Sequence, residues 1–81
     1  MKITVLSDGA WGTALASVLL RNGHDVTMWG PFPEYLAEME RTRENTRFLP
    51  GAKLDPRLQF EGDMPKAVAG SSVILLAVPT R

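Results

Sequence analysis

The run Val73-Ile74-Leu75-Leu76-Ala77-Val78 contains six apolar residues and no polar position. A strand with one wet face alternates apolar and polar side chains. An unbroken run therefore predicts a strand covered on both faces, as helices packed on a parallel sheet provide. It is far short of the roughly 20 apolar residues that cross a bilayer as a helix. The class that follows is α/β, with a doubly wound parallel sheet.

The rest of the chain reads as alternating strands and helices. Lys2 to Ser7 is β-branched and apolar and stops at Asp8-Gly9, as a buried strand does on reaching a turn. From Trp11 the period changes. Leu15, Val18, Leu19 and Asn22 follow helical spacing, Ala14 and Ala16 add helix propensity, and Gly23 stands where a left-handed cap is expected. Asp25 to Trp29 returns to strand composition and ends at Gly30-Pro31, which completes a βαβ pattern. Pro33 to Arg43 reads as a helix with Leu36 and Met39 on one face. Glu38/Arg41 and Glu40/Arg43 lie at i, i+3 on a solvated face. Residues 45–57 hold Pro50, Gly51, Asp55 and Pro56 without a sustained period and read as a loop with a short turn. Leu58-Gln59-Phe60 is a brief strand, and Asp63 caps a short helix running through Ala69 with Pro65 in its first turn. Trp29 is assigned to the core, and Met28, Met39 and Met64 to the core or its boundary.

Composition removes several function classes. Nine Lys+Arg balance nine Asp+Glu, so the formal net charge is zero, and neither a nucleic-acid binder nor an acidic-membrane binder is indicated. There is no Cys, hence no disulfide, thiolate metal site or cysteine nucleophile. His24 is the lone histidine, which leaves zinc without a ligand set and Ser71 and Ser72 without a hydrolase partner. The N-terminus breaks into glycine by Gly9, without the apolar length of a secretory signal. No membrane insertion and a cytoplasmic home are the expectations.

The segment Ser7-Asp8-Gly9-Ala10-Trp11-Gly12 lies between the first strand and the first helix. In the dinucleotide fingerprint, three glycines serve a tight turn, close approach of a pyrophosphate, and close packing of helix on strand. Gly9 and Gly12 fit the second and third, and Ser7 stands in the place of the first. The helix N-terminus supplies unpaired N–H groups and a partial positive charge for a diphosphate. The alternative is a plain tight turn that binds nothing.

Met1 to Leu6, Gly9-Ala10-Trp11-Gly12-Thr13-Ala14-Leu15-Ala16, Arg21-Asn22-Gly23-His24, Val26 to Gly30, Glu44-Asn45 to Phe48-Leu49-Pro50-Gly51, and Ile74 to Pro79 closely resemble the N-terminal part of bacterial NAD(P)-dependent glycerol-3-phosphate dehydrogenases. The likeness runs end to end. It implies a Rossmann-like sheet, present as its N-terminal βαβ half, with residues 1–81 forming the first part of a dinucleotide-binding domain. It implies a cofactor, NAD or NADP, and a parent enzyme that interconverts sn-glycerol 3-phosphate and dihydroxyacetone phosphate for phospholipid synthesis. Gly9, Ala10, Trp11 and Gly12 would surround the dinucleotide phosphates. Gly30, Pro31 and Phe32 would lie near the adenosine ribose, Phe48 on a cofactor-facing loop, and Val78 and Pro79 at the cofactor cleft. The family's catalytic lysines and its helical domain lie beyond Arg81, so no catalytic residue is expected in this chain and it should be inactive alone.

Two departures from the family pattern bear on that site. Ser7 adds a hydroxymethyl group to the turn, and Asp8 adds a carboxylate that either opposes a diphosphate or caps the helix start. Pro31-Phe32 occupies a position where relatives carry an Arg or His for the 2′-phosphate, which leaves NAD versus NADP open. Two other readings compete: part of another Rossmann dehydrogenase, acting on a 3-hydroxy acid or sugar acid, and a non-catalytic module that binds a nucleotide or a partner chain. An exposed sheet edge would also allow the chain to associate with copies of itself.

Overall fold

The computed structural model describes residues 1–7, 9–45 and 49–77. The elements are β1 (Lys2–Leu6), α1 (Ala10–Arg21), β2 (Asp25–Trp29), α2 (Pro33–Thr42), β3 (Glu44–Asn45), β4 (Leu49–Lys53), β5 (Gln59–Phe60), α3 (Met64–Val68) and β6 (Val73–Leu75). Four of the strands form one parallel sheet in the order β5-β2-β1-β6. The chain moves outward from β1 to β2 and β5, then returns to the other side of β1 as β6. This reversal beside β1 is the switch point of a doubly wound fold.

Parallel partners share a face, so the register assigns each side of the sheet. Ile3 pairs with Val26 and Val5 with Met28, and all four are buried. Val5, Val26 and Met28 pack with Ala16 and Leu20 of α1 and with Tyr35, Leu36 and Met39 of α2. Thr4 points to the opposite face, where its hydroxyl donates to the Ala67 carbonyl of α3 at 2.6 Å and shares a short hydrogen bond with Ser71. Helices therefore cover both faces at β1, as expected for the α/β class.

Helix α1 ends as its sequence predicts. Gly23 has φ +86, its N–H donates to Leu20, and the His24 N–H reaches back to Leu19, the paired bonds of a Schellman motif. Its buried face differs from the predicted stripe. Gly12, Thr13, Ala16 and Leu20 are buried, whereas Val18 is 43% exposed and Asn22 is exposed. The helix is rolled so that its small residues meet the sheet and its larger ones flank the contact. Gly12 permits this close approach, since a Cβ there would lie 2.8 Å from the Ser7 Cβ and 3.0 Å from the Ser7 carbonyl oxygen.

Four other expectations are corrected. Residues 45–57 are not simply a loop, because Glu44–Asn45 and Leu49–Lys53 pair as an antiparallel ribbon with a register shift between Glu44 and Asn45. The two strands are only two and five residues long, and Pro50 and Gly51 mask the second. The run from Val73 is not covered on both faces: Ile74 is 49% and Leu76 68% exposed, because β6 lies at the sheet edge and the five-residue α3 is too short to reach over it. Arg43 leaves the solvated face of α2. It takes the left-handed C-cap position at φ 56, donates to the Leu58 carbonyl at 2.8 Å and stacks over Phe60. Trp29 is only half-buried, with its Nε1–H donating to the Gly62 carbonyl at 3.0 Å, and Met64 is exposed. Among the described residues, no helix is long and apolar enough to cross a membrane.

Candidate functional site

Strand β1 delivers Ser7 to the carboxyl end of the sheet, next to the switch point, where crevices of this fold take ligands. Gly9 then stands as the N-cap of α1 with extended backbone geometry, and among the described residues no side chain caps that terminus. The first amide to find an intrahelical partner is Thr13, whose N–H donates to the Gly9 carbonyl at 3.0 Å. Ala10, Trp11 and Gly12 precede it, at the positions whose N–H groups have no partner within a helix. There is no acidic residue in this first turn. The positive end of the helix dipole is thus left open for an anion.

The Ser7 hydroxyl has a place inside the turn. Its Oγ accepts the Gly9 N–H at 3.1 Å and lies where a Gly12 Cβ would come within 2.9 Å of it. The side chain fills the volume that Gly12 leaves empty. Ser7 and Gly12 are a matched pair, which is how the turn carries a serine in place of the fingerprint's first glycine.

The other residues expected at the site divide by place. Trp11 is 75% exposed, which removes packing as its explanation and leaves an indole standing free beside the open amides. Gly30 is buried at the end of β2, and Pro31 and Phe32 are exposed just beyond it, Phe32 at 58%. The register places Leu6 beside Trp29, so β1 and β2 release Ser7 and Gly30 at the same end of the sheet. Phe32 is the N-cap residue of α2 and lines a recess of about 330 Å³ with Glu34, Tyr35 and Glu38. Asp8, Phe48, Val78 and Pro79 lie outside the described residues.

A larger hollow of about 650 Å³ lies at the other end of the sheet, lined in part by Gly23, His24, Asp25, Arg43 and Arg57. It opens at the amino ends of β2 and β5, away from the helix terminus. Size alone does not make it the site, because the uncapped amides and the switch point are at the carboxyl end. His24 borders this hollow and has no contact with the glycine turn, in keeping with a role at the helix cap. Among the described residues, no cluster of His, Cys, Asp or Glu is arranged to hold a metal ion.

Sequence reasoning missed a group of polar residues beneath the turn. Thr13 and Asn45 are fully buried and Tyr35 is nearly so. The Tyr35 hydroxyl donates to Asn45 Oδ1, Asn45 Nδ2 donates to Thr13 Oγ1 at 2.8 Å, and Thr13 Oγ1 donates to the Gly9 carbonyl at 2.8 Å. One signal was available in the helix. Thr13 falls on the same stripe as Ala16 and Leu20, and a polar residue on a core-facing stripe calls for a buried partner.

A dinucleotide fits these features. Its diphosphate needs amide donors, which the first turn of α1 supplies with no acidic residue of its own, Asp8 standing just before the N-cap, and its adenosine needs open surface at the same sheet end, which Gly30 to Phe32 border. Comparison with known proteins agrees. A family model described as NAD-dependent glycerol-3-phosphate dehydrogenase N-terminus matches residues 2–81. A glycerol-3-phosphate dehydrogenase [NAD(P)+] from Trichlorobacter lovleyi is 48% identical over 81 residues, which is 100% of this chain and 24% of that protein. One from Bacillus mycoides is 46% identical over 80 residues, 99% of this chain and 24% of the relative. The crystal structure of glycerol-3-phosphate dehydrogenase from Coxiella burnetii superposes with a TM-score of 0.88 at 36% identity, covering 96% of this chain and 24% of that one. The chain thus spans about a quarter of the length of the relatives it matches.

Proposed function

Because this chain belongs to the NAD-dependent glycerol-3-phosphate dehydrogenase N-terminal family, we propose that its α1 terminus binds the diphosphate of NAD in a cytoplasmic oxidoreductase. The parent activity would be interconversion of sn-glycerol 3-phosphate and dihydroxyacetone phosphate. The observation that carries this reading is the first turn Ala10-Trp11-Gly12 beside the switch point of the sheet, with no capping side chain among the described residues. Residues 1–81 act as the first part of the dinucleotide-binding domain, and the groups that read the substrate belong to other parts of the protein. When bound, the nicotinamide supplies the carbon that gives or takes the hydride. This segment holds the opposite half of the cofactor. The amides of Ala10, Trp11 and Gly12 receive the diphosphate, the exposed Trp11 indole shields it from water, and Pro31-Phe32 offers apolar surface to the adenosine. Phe48, Val78 and Pro79 complete the cofactor cleft in this reading.

The recess beside Phe32 favours NAD over NADP. Glu34 and Glu38 line it and no cation does, so a 2′-phosphate entering there meets two carboxylates. The test is calorimetric titration of the intact protein with NADH and NADPH, followed by an assay of NADH oxidation with dihydroxyacetone phosphate. NADH should bind with micromolar affinity and NADPH about tenfold or more weakly, a difference of roughly 1.4 kcal/mol. Absence of binding by both would end the dinucleotide reading. Tight NADH binding without turnover of dihydroxyacetone phosphate would retain the cofactor and remove the substrate.

A further inference from the structure

We propose that Asn45 is a positioning residue for the dinucleotide: acting through Thr13, it fixes the Gly9–Ala10 peptide plane so that the Ala10 N–H faces the diphosphate. The proposal rests on the dinucleotide reading above and adds to it a residue far from the turn in sequence. Asn45 ends β3, at the register shift of the ribbon, and is joined to the turn by a buried chain of hydrogen bonds through Thr13.

The direction of each bond in that chain is forced. The Gly9 carbonyl only accepts, so the single hydroxyl proton of Thr13 is committed to it at 2.8 Å. Thr13 Oγ1 must then accept from its other neighbour, which requires the NH2 end of the Asn45 carboxamide to face it, at 2.8 Å. The carboxamide oxygen is thereby turned to Tyr35, whose hydroxyl donates to it. Reversing any member would leave two donors or two acceptors face to face within the core, where Thr13 and Asn45 are fully buried. Bonds aligned in one sense also polarise one another.

The consequence reaches the ligand through amide geometry. In a trans peptide unit the C=O and the following N–H point in opposite directions. The Gly9 carbonyl is held toward the helix by two donors, the Thr13 amide at 3.0 Å and the Thr13 hydroxyl at 2.8 Å. The Ala10 N–H therefore points out of the helix end. An ordinary N-cap fixes its first turn with a side chain of its own, but Gly9 has none. The relay from Asn45 supplies from the core the rigidity that the cap residue lacks. It also ties the ribbon that leads into residues 46–48 to the phosphate-binding turn.

The experiment compares ADP and NADH affinities of the intact protein with those of Thr13→Val, Thr13→Ser, Asn45→Ala and the Thr13→Val/Asn45→Ala pair, and follows the Ala10 amide by 1H–15N NMR. Valine keeps the shape of Thr13 without its hydroxyl, so it decides the question even where Asn45→Ala does not fold. The expected result is about tenfold weaker binding of both ligands by Thr13→Val and by Asn45→Ala, recovery in Thr13→Ser, and no further loss in the pair. The Ala10 amide signal should shift on ADP binding in the native protein and shift less in Thr13→Val. A merely structural role would lower the melting temperature of the folded variants and leave their ADP affinity unchanged, and that result overturns the proposal. Losses that add in the pair overturn the path through Thr13. Native protein that binds neither ligand removes the dinucleotide reading and this role with it, whereas native binding with unaltered variants removes this role alone.

Discussion

Gly12 shows how one absent side chain sets the geometry of the turn. A Cβ placed there would meet the Ser7 Cβ at 2.8 Å, its Oγ at 2.9 Å and its carbonyl oxygen at 3.0 Å. The last of these is backbone and cannot rotate away. Gly12→Ala should therefore destabilise the protein by about 1–3 kcal/mol, the range for overpacking a tight contact. Ser7→Gly in the same chain removes two of the three contacts and should return part of that loss, which denaturant melts of the two variants would measure. Equal stability of Gly12→Ala and native protein would show that helix and strand can separate without penalty. This role of Gly12 was legible, because a glycine three residues into a helix after a strand has few other reasons to be there. The partnership with Ser7 was not, since it depends on which way a hydroxymethyl group turns. Asn45 was still less legible. Its neighbours in sequence suggest a loop, and only the folded chain brings it under a turn more than thirty residues away.

Elements marked by a residue at their ends were legible, and those without such a marker were not. Helix α1 starts after Gly9 and stops at Gly23 because glycine permits both ends, and Pro33 starts α2 where a missing N–H does no harm. The β3–β4 ribbon has no such marker, since its two strands are held by each other. The face that α1 buries was misread for a related reason: apolar spacing marks Leu15, Val18 and Leu19, but the close approach at Gly12 turns the small residues inward. Between the ribbon and β5, the turn at Asp55 is fastened by a charge pair. Asp55 Oδ1 accepts the Arg57 N–H at 2.8 Å, and Arg57 Nη2 donates both to Asp55 Oδ2 at 2.9 Å and to the Leu20 carbonyl near the end of α1 at 3.0 Å. Hydrogen bonds from Arg57 lower the Asp55 pKa from 3.8 to about 2. A carboxylate whose pKa is depressed on folding contributes stability that is fully present above its unfolded value and fades as pH falls toward its folded value. Asp55→Asn should thus lower the melting temperature at neutral pH, slightly because the pair meets solvent, and the gap should close between pH 3.8 and about 2. Melting curves across that interval give the answer, and a gap that stays constant down to pH 2 would remove the charge pair as its cause.

At the scale of the whole molecule, the sheet is finished on one side of β1 and open on the other. Toward β2 and β5, helices α1 and α2 close over Val5, Val26 and Met28, which are buried, with Leu19 and Phe60 partly buried at the margin. Toward β6 the cover runs out. Ile74 pairs with Thr4 and shares its face, yet Thr4 is fully buried under Ala67 and Ser71 while Ile74, one strand farther out, is 49% exposed. The apolar run at Val73 predicts a strand covered on both faces, and among the described residues nothing covers Ile74 and Leu76 fully. An apolar strand with an unpaired edge is a template for pairing with another chain. The polypeptide of residues 1–81, prepared by itself, should accordingly associate as its concentration rises, through β6 against β6. Ile74→Lys places a charge on the exposed face of that edge without touching Val73 or Leu75, which look toward the other side of the sheet. Sedimentation velocity over a range of concentrations should show the native polypeptide moving toward dimers or larger species, and Ile74→Lys remaining a monomer. Association that persists unchanged in Ile74→Lys would place the contact elsewhere, with the exposed Trp11 and Val18 of α1 as the next surface to alter.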